Sequence, residues 1–261
     1  MRLPIYQVDA FTDSLFGGNP AAVCPLEAWL PGKTMQAIAA ENNLAETAFF
    51  VREGRDYALR WFTPTVEVDL CGHATLAAGE IVFRFIEPER DSVSFRTMNA
   101  GTLTVRRSGE MLALDLPARP AVPVDPPTGL VAALGGAPRE VLRARDHLVV
   151  YGSAAEVAAL DPDLAALAKV DCWAAIVTAP GESGIDFVSR FFAPAQGVPE
   201  DPVTGSSHCT LVPYWAHRLG KTKLEARQLS RRGGALSCAL DGDRVSIAGR
   251  AVLYLEGQIE V

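Results

Sequence analysis

Apolar residues along the chain alternate in short runs that are interrupted twice by stretches with no polar face. Leu3 to Ala10 reads as a strand and ends in a loop dense in turn residues, Phe11 to Pro20. Ala21 to Cys24 is a second strand. Gly32 to Asn43 has helical spacing through Met35, Ile38 and Ala39 and stops at Asn42-Asn43. Ala48 to Val51 and Tyr57 to Phe62 return to the strand pattern. Gly72 to Phe85 then predicts a helix apolar on nearly every face, which belongs inside a fold and not on its surface. Ser92 to Arg96, Thr102 to Arg106 and Met111 to Leu114 supply further strands, the last two joined by Ser108-Gly109.

The pattern then starts again. Arg60-Trp61-Phe62-Thr63-Pro64 is echoed by Arg190-Phe191-Phe192-Ala193-Pro194, and Cys71-Gly72-His73 by Thr204-Gly205-Ser206. Gly205 to Leu219 repeats the buried helix, and Asp241-Gly242 repeats the hairpin turn. A period of roughly 130 residues is too long for a solenoid, so it implies two similar domains about a pseudo-two-fold axis, with a cleft between them. Between the copies, Pro117 to Pro127 holds five prolines in eleven residues, which neither a helix interior nor a central strand tolerates. The expected fold class is α+β, two pseudo-symmetric domains in which a sheet curls round one central helix. The expected domains are 1–117 and 118–261, with the last strand, about 251–261, a candidate to return to the first.

Composition narrows the function. The chain of 261 residues is 49% hydrophobic and 21% charged, the balance of a globular protein with ample core. A net charge of −7 without a basic block argues against nucleic acid, and no apolar run suggests a membrane span or a signal core. Five scattered cysteines imply neither a disulfide framework nor a metal cluster, so a reduced, cytoplasmic protein without a metal is expected.

Candidate chemistry gathers at the two helix starts. Each begins at a glycine, Gly72 or Gly205, where unpaired N–H groups and the helix dipole favour an anion and the missing side chain lets it approach. With both starts facing one cleft, a small carboxylate is the natural occupant. In the plainer reading, each glycine merely opens a helix and Thr204 is an N-cap. Glu46 heads the apolar run Ala48-Phe49-Phe50, and the second copy has no acid beside its matching run. A carboxylate against apolar surface can serve as both base and acid, although acids at strand ends are also common structural features. Asp201 precedes the second helix in an Asp-Pro turn, where it is either a partner in the site or a solvated cap. His73 stands where the other copy has Ser206, and the helix N-terminus there favours a neutral imidazole. Cys71 is a candidate thiol base, but its mirror position is Thr204, which leaves no second thiol for a racemase. Hydrolase elbow, Walker loop and dinucleotide fingerprint are all missing.

Four separated motifs occur in order: Asp9-Ala10-Phe11 with Gly18-Asn19-Pro20; Leu44-Ala45-Glu46-Thr47; Phe62-Thr63-Pro64 with Cys71-Gly72-His73-Ala74-Thr75; and Glu200-Asp201-Pro202-Val203-Thr204-Gly205-Ser206. Over its whole length the chain resembles the PhzF family of phenazine-biosynthesis isomerases and their relatives. That family is similar in fold to diaminopimelate epimerase, whose two domains each wrap a β-barrel around a central helix. The resemblance implies a cofactor-independent isomerase with Glu46 as acid–base residue and His73 and Asp201 as its catalytic partners. It also implies substrate contacts from Asn19, Gly72, Thr204, Gly205 and Ser206, no cofactor, and a homodimer. In the epimerase both mirror positions are cysteines, whereas here only Cys71 is. A small-carboxylate-binding protein without turnover is the alternative from another class.

Overall fold

In the computed structural model, which describes residues 1–261, the chain divides into two compact units: Met1–Asp115 with Ala248–Val261, and Leu116–Ile247. The fold is mixed, with strands predominating and few helices. Unit 1 runs β1 (Arg2–Ala10), β2 (Asn19–Leu26), α1 (Gly32–Asn42), β3 (Glu46–Glu53), β4 (Asp56–Phe62), β5 (Glu67–Val68), α2 (Gly72–Ile81), β6 (Ser92–Arg96), β7 (Thr102–Ser108) and β8 (Met111–Pro117). Unit 2 runs β9 (Val122–Pro123), α3 (Leu130–Leu134), β10 (Glu140–Arg143), β11 (His147–Val150), α4 (Ala154–Ala159), α5 (Leu164–Leu167), β12 (Ala175–Pro180), β13 (Phe187–Phe192), α6 (His208–Leu219), β14 (Lys223–Gln228), β15 (Gly234–Asp241) and β16 (Arg244–Gly249). The last strand, β17 (Ala251–Glu260), pairs antiparallel with β1 from Arg2↔Glu260 to Ala10↔Ala251. No helix is long and apolar enough to cross a membrane.

In unit 1 the strands β2, β3 and β4 are covered on both faces, which is why Ala48-Phe49-Phe50 is a continuous apolar run and not an alternating one. Cys24 and Phe49 turn toward α1, where Met35, Ile38 and Ala39 pack on them. On the other face α2 lies against β1, β2, β3 and β7 with Gly72 to Gly79 all buried. Small residues let it lie close: a methyl added at Gly79 would stand 2.7 Å from Val105 Cγ1. The expected helix from Gly72 to Phe85 is α-helical only to Ile81. It then widens into a π-helical turn, Val82–Ile86, which the Glu87 N–H closes on the Val82 carbonyl.

Unit 2 is layered the same way. Val177 and Ala179 face a core shared with Leu134, Val157 and Leu167 of its short helices. Thr178, between them, faces α6 and accepts a hydrogen bond from Trp215 Nε1 at 2.9 Å. The repeated Arg-x-Phe also finds its reason. Arg60 grips Glu67 with two bonds of 2.7 Å and lies over the Phe62 ring. In unit 2, Arg190 grips Glu200 at 2.7 and 3.0 Å and lies over Phe192.

Candidate active site

Three separated segments of unit 1 converge because of one parallel pairing. Strands β2 and β3 run side by side with Ala21 opposite Glu46, so their N-terminal ends, carrying Asn19 and Glu46, are neighbours. Asn19 is held there by Gly18, whose φ of +60° and whose Cα, which would carry a Cβ 2.2 Å from the Ala10 carbonyl oxygen, admit only glycine. The start of α2 supplies the third segment, with Cys71 in extended conformation and His73 one residue into the helix.

At their meeting point His73 Nε2 lies 3.1 Å from Glu46 Oε2, with side chains only 5% and 17% exposed. The other ring nitrogen, Nδ1, meets the Asn19 carboxamide at 3.1 Å and Cys71 Sγ at 3.5 Å. Burial alone would lower the affinity of this imidazole for its second proton, but the neighbouring Cys71 and Glu46 raise it well above the ordinary value. The helix terminus alone favours a neutral imidazole, whereas the Glu46 carboxylate in contact with Nε2 favours the charged form. Burial first and Glu46 second push the Cys71 thiol up to about 11. It is no base at neutral pH. Asn19 suits either state of the ring, because its amide offers an N–H to a bare Nδ1 and, turned over, an oxygen to Nδ1–H.

In unit 2, Asp201 and Thr204 are tied together, the Thr204 hydroxyl donating to the Asp201 carboxylate. Gln228, at the end of β14, is a residue the sequence reading missed. It accepts from the Thr204 N–H and donates to the Asp201 carbonyl, both at 2.8 Å, and is fully buried. Its signal was the alternation Leu224, Ala226, Gln228, which places an amide on the inward side of β14. The expected helix from Gly205 to Leu219 needs a second correction. Gly205–Ser207 is a 3₁₀ turn and the α-helix begins at His208. Ser207 Oγ and His208 Nδ1 both bond the Thr204 carbonyl, at 2.8 and 2.9 Å, which tightens that first turn. Gly205 is buried and Ser206 half-buried.

The Glu46, Cys71 and His73 ligand atoms all lie within 4.8 Å of one another. A separate surface cavity of roughly 190 Å³ sits over β4 and β5, lined by Arg60, Trp61, Glu67 and Asn99, among others. Its polar walls are already engaged with each other, Arg60 with Glu67 and Asp69 with Asn99.

By its relatives the chain is an enzyme of the isomerase class. Across all of both chains the protein is 53% identical to an uncharacterized isomerase of Pseudomonas aeruginosa. It belongs to the PhzF family: residues 8–257 match the family described as phenazine biosynthesis-like protein. A PhzF-family crystal structure from Enterococcus faecalis superposes with a TM-score of 0.95 at 45% identity, covering 100% of each chain. A hydroxyproline epimerase from Agrobacterium vitis is similar in fold alone, with a TM-score of 0.60 at 11% identity over 99% of this chain and 92% of that one.

Proposed function

We propose that the protein is a cofactor-independent isomerase that moves a proton on a small carboxylate substrate, with Glu46 as the acid–base residue. The observation that carries this reading is the Glu46–His73 pair, 3.1 Å apart and largely withdrawn from water at a helix start. Glu46 takes a proton from a carbon made acidic by an adjoining carbonyl or carboxylate. The C–H electron pair passes into an enolate. His73, protonated, donates a hydrogen bond to the developing negative charge. Glu46 then returns its proton to a second carbon, or to the other face of the first, and the base is restored.

Asn19 orients the imidazole, while Gly72, Thr204, Gly205 and Ser206 supply backbone or hydroxyl donors to the substrate. Asp201, linked to the Thr204 hydroxyl, relays protons on polar groups. Each unit is taken as a barrel around its buried helix, α2 or α6, and the active form as a homodimer, which light scattering tests.

Incubation in deuterium oxide with a panel of small amino- and hydroxy-carboxylates, followed by NMR of carbon-bound hydrogen, reads the chemistry directly. Glu46→Gln keeps the shape and removes the base. Exchange should fall by about 10²–10⁴-fold while ligand affinity changes little. Equal exchange by wild type and variant sinks the assignment.

A further inference from the structure

We infer that Gln228 is a positioning residue of the proposed active site: its side chain holds the Asp201–Thr204 pair and sets the direction of the hydrogen bonds that reach it. This rests on the function proposed above, in which that pair meets the substrate. Strand β14 ends with Gln228 fully buried beside Ser189 of β13. There the amide makes three bonds. Its oxygen accepts the Thr204 N–H at 2.8 Å, and its nitrogen donates to the Asp201 carbonyl at 2.8 Å and to Thr204 Oγ1 at 3.2 Å. A backbone N–H on one side and a backbone carbonyl on the other admit only one orientation of the amide.

That orientation propagates. The Thr204 hydroxyl, which already accepts from Gln228, has a single proton to give, and it goes to the Asp201 carboxylate. The chain of bonds therefore runs one way, from amide to hydroxyl to carboxylate, and Asp201 stands at its accepting end. Two further bonds hold the segment from behind. The Asp201 N–H donates to the Phe191 carbonyl at 3.0 Å, and Ser230 Oγ donates to the Pro202 carbonyl at 2.7 Å.

The internal repeat separates this duty from a structural one. Arg60 answers to Arg190, so Ala58 answers to Val188. Strand β4 pairs with β6 as β13 pairs with β14, in parallel, with Ala58 opposite Arg96 and Val188 opposite Arg227. Thr97 is therefore the counterpart of Gln228. It is buried too, but its hydroxyl only closes its own turn, on Gly101 and Ala100. The same strand end thus folds without a long amide. Burying an amide is costly unless its bonds are made, and unit 2 carries one where Asp201 and Thr204 supply them.

NMR of the whole chain tests this without a ligand. Side-chain couplings should place Thr204 in one rotamer in unaltered protein and spread it over several in Gln228→Met, which keeps the length and loses the three bonds. Thr178, buried elsewhere in unit 2, should stay in one rotamer in both. A Thr204 that stays fixed in the variant overturns the inference. Loosening of Thr178 together with Thr204 also overturns it, since that marks a merely structural role. Gln228→Glu is the second variant, for the case in which Gln228→Met does not fold. It keeps the shape and the bond from the Thr204 N–H but draws the hydroxyl proton away from Asp201. The Asp201 carboxyl-carbon signal should therefore move at neutral pH, and an unmoved signal overturns the one-way chain. In the deuterium oxide assay, Gln228→Met should slow exchange at saturating carboxylate by about tenfold or more, with the half-saturating concentration little changed. Exchange at the wild-type rate with Thr204 loosened refutes the positioning role and leaves the isomerase standing. No exchange by wild type, with Thr204 loosened in the variant, counts against the isomerase and leaves the hold of Gln228 on Thr204 standing.

Discussion

Acidification should loosen the start of α6 through a single buried ring. His208 is fully buried, its Nδ1 bonded to the Thr204 carbonyl at 2.9 Å and its Nε2 facing no hydrogen-bond partner. The Phe187 ring lies 5.8 Å away. Burial pushes the ring down to about 4 from an ordinary 6.5, against a smaller opposing effect of the Thr204 carbonyl. The folded value lies below the unfolded one, so the unfolded chain takes up the proton first as pH falls. The stabilisation is complete above pH 6.5 and is lost between there and about pH 4. Integrated over that shift, the loss is about 2 kcal/mol at pH 5 and about 3 kcal/mol below pH 4. His147 shifts the same way, by burial and then by Arg143, so the measurement is a difference. Urea unfolding of wild type and His208→Gln at pH 7.5 and 5.0 should show wild type losing about 2 kcal/mol more than the variant. In an NMR titration of the four histidines, the His208 ring signal should stay still down to about pH 5. A His208 signal that titrates above pH 6, or equal pH dependence in both proteins, refutes the reasoning.

Two packing predictions follow from close contacts. Gly79→Ala puts a methyl 2.7 Å from Val105 Cγ1, and should cost about 1–3 kcal/mol despite a helix-propensity gain of about 1 kcal/mol. Combining it with Val105→Ala should recover at least about 0.5 kcal/mol in a double-mutant cycle, and strict additivity would contradict the contact. Thr178→Val leaves the buried Trp215 N–H without its acceptor, so urea unfolding should show a loss of about 1–3 kcal/mol, whereas Thr178→Ser should lose much less. Equal stability of those two variants would discount the hydroxyl.

Periodicity carried the secondary structure well wherever burial was simple. A run with no polar face, such as Gly72 to Ile81, has only one place to go, and it is buried throughout. The departures lie where side chains bond to backbone. Nothing in spacing announces that Ser207 and His208 both fasten onto the Thr204 carbonyl, so the 3₁₀ turn before α6 was read as helix. The surroundings of His73 are only half legible for a related reason. A helix terminus is local and readable, but the carboxylate that opposes it comes from another strand. Glu46 and His73 stand out from their surroundings in the sequence, whereas Asn19, and the grouping of all three, is legible only through the family resemblance. Their contact depends on the parallel register of β2 and β3, which no pattern along one strand can specify.

The pairing of β1 with β17 bears on how the chain is made. Ala10 finds its partner, Ala251, only after roughly 240 further residues have been synthesised. Closing a flexible loop of that length costs about 5 kcal/mol in chain entropy beyond a fixed constant. Unit 2 is contiguous in sequence and can collapse while unit 1 waits, replacing most of the slack with a compact body. During that interval the β1 edge that β17 will occupy is open, with Leu3, Ile5 and Val8 on the strand. The nascent chain is thus at its most adhesive near its beginning until its final strand emerges. A slow translation step anywhere between β1 and β17 prolongs that exposure and should raise the chain's demand for chaperones.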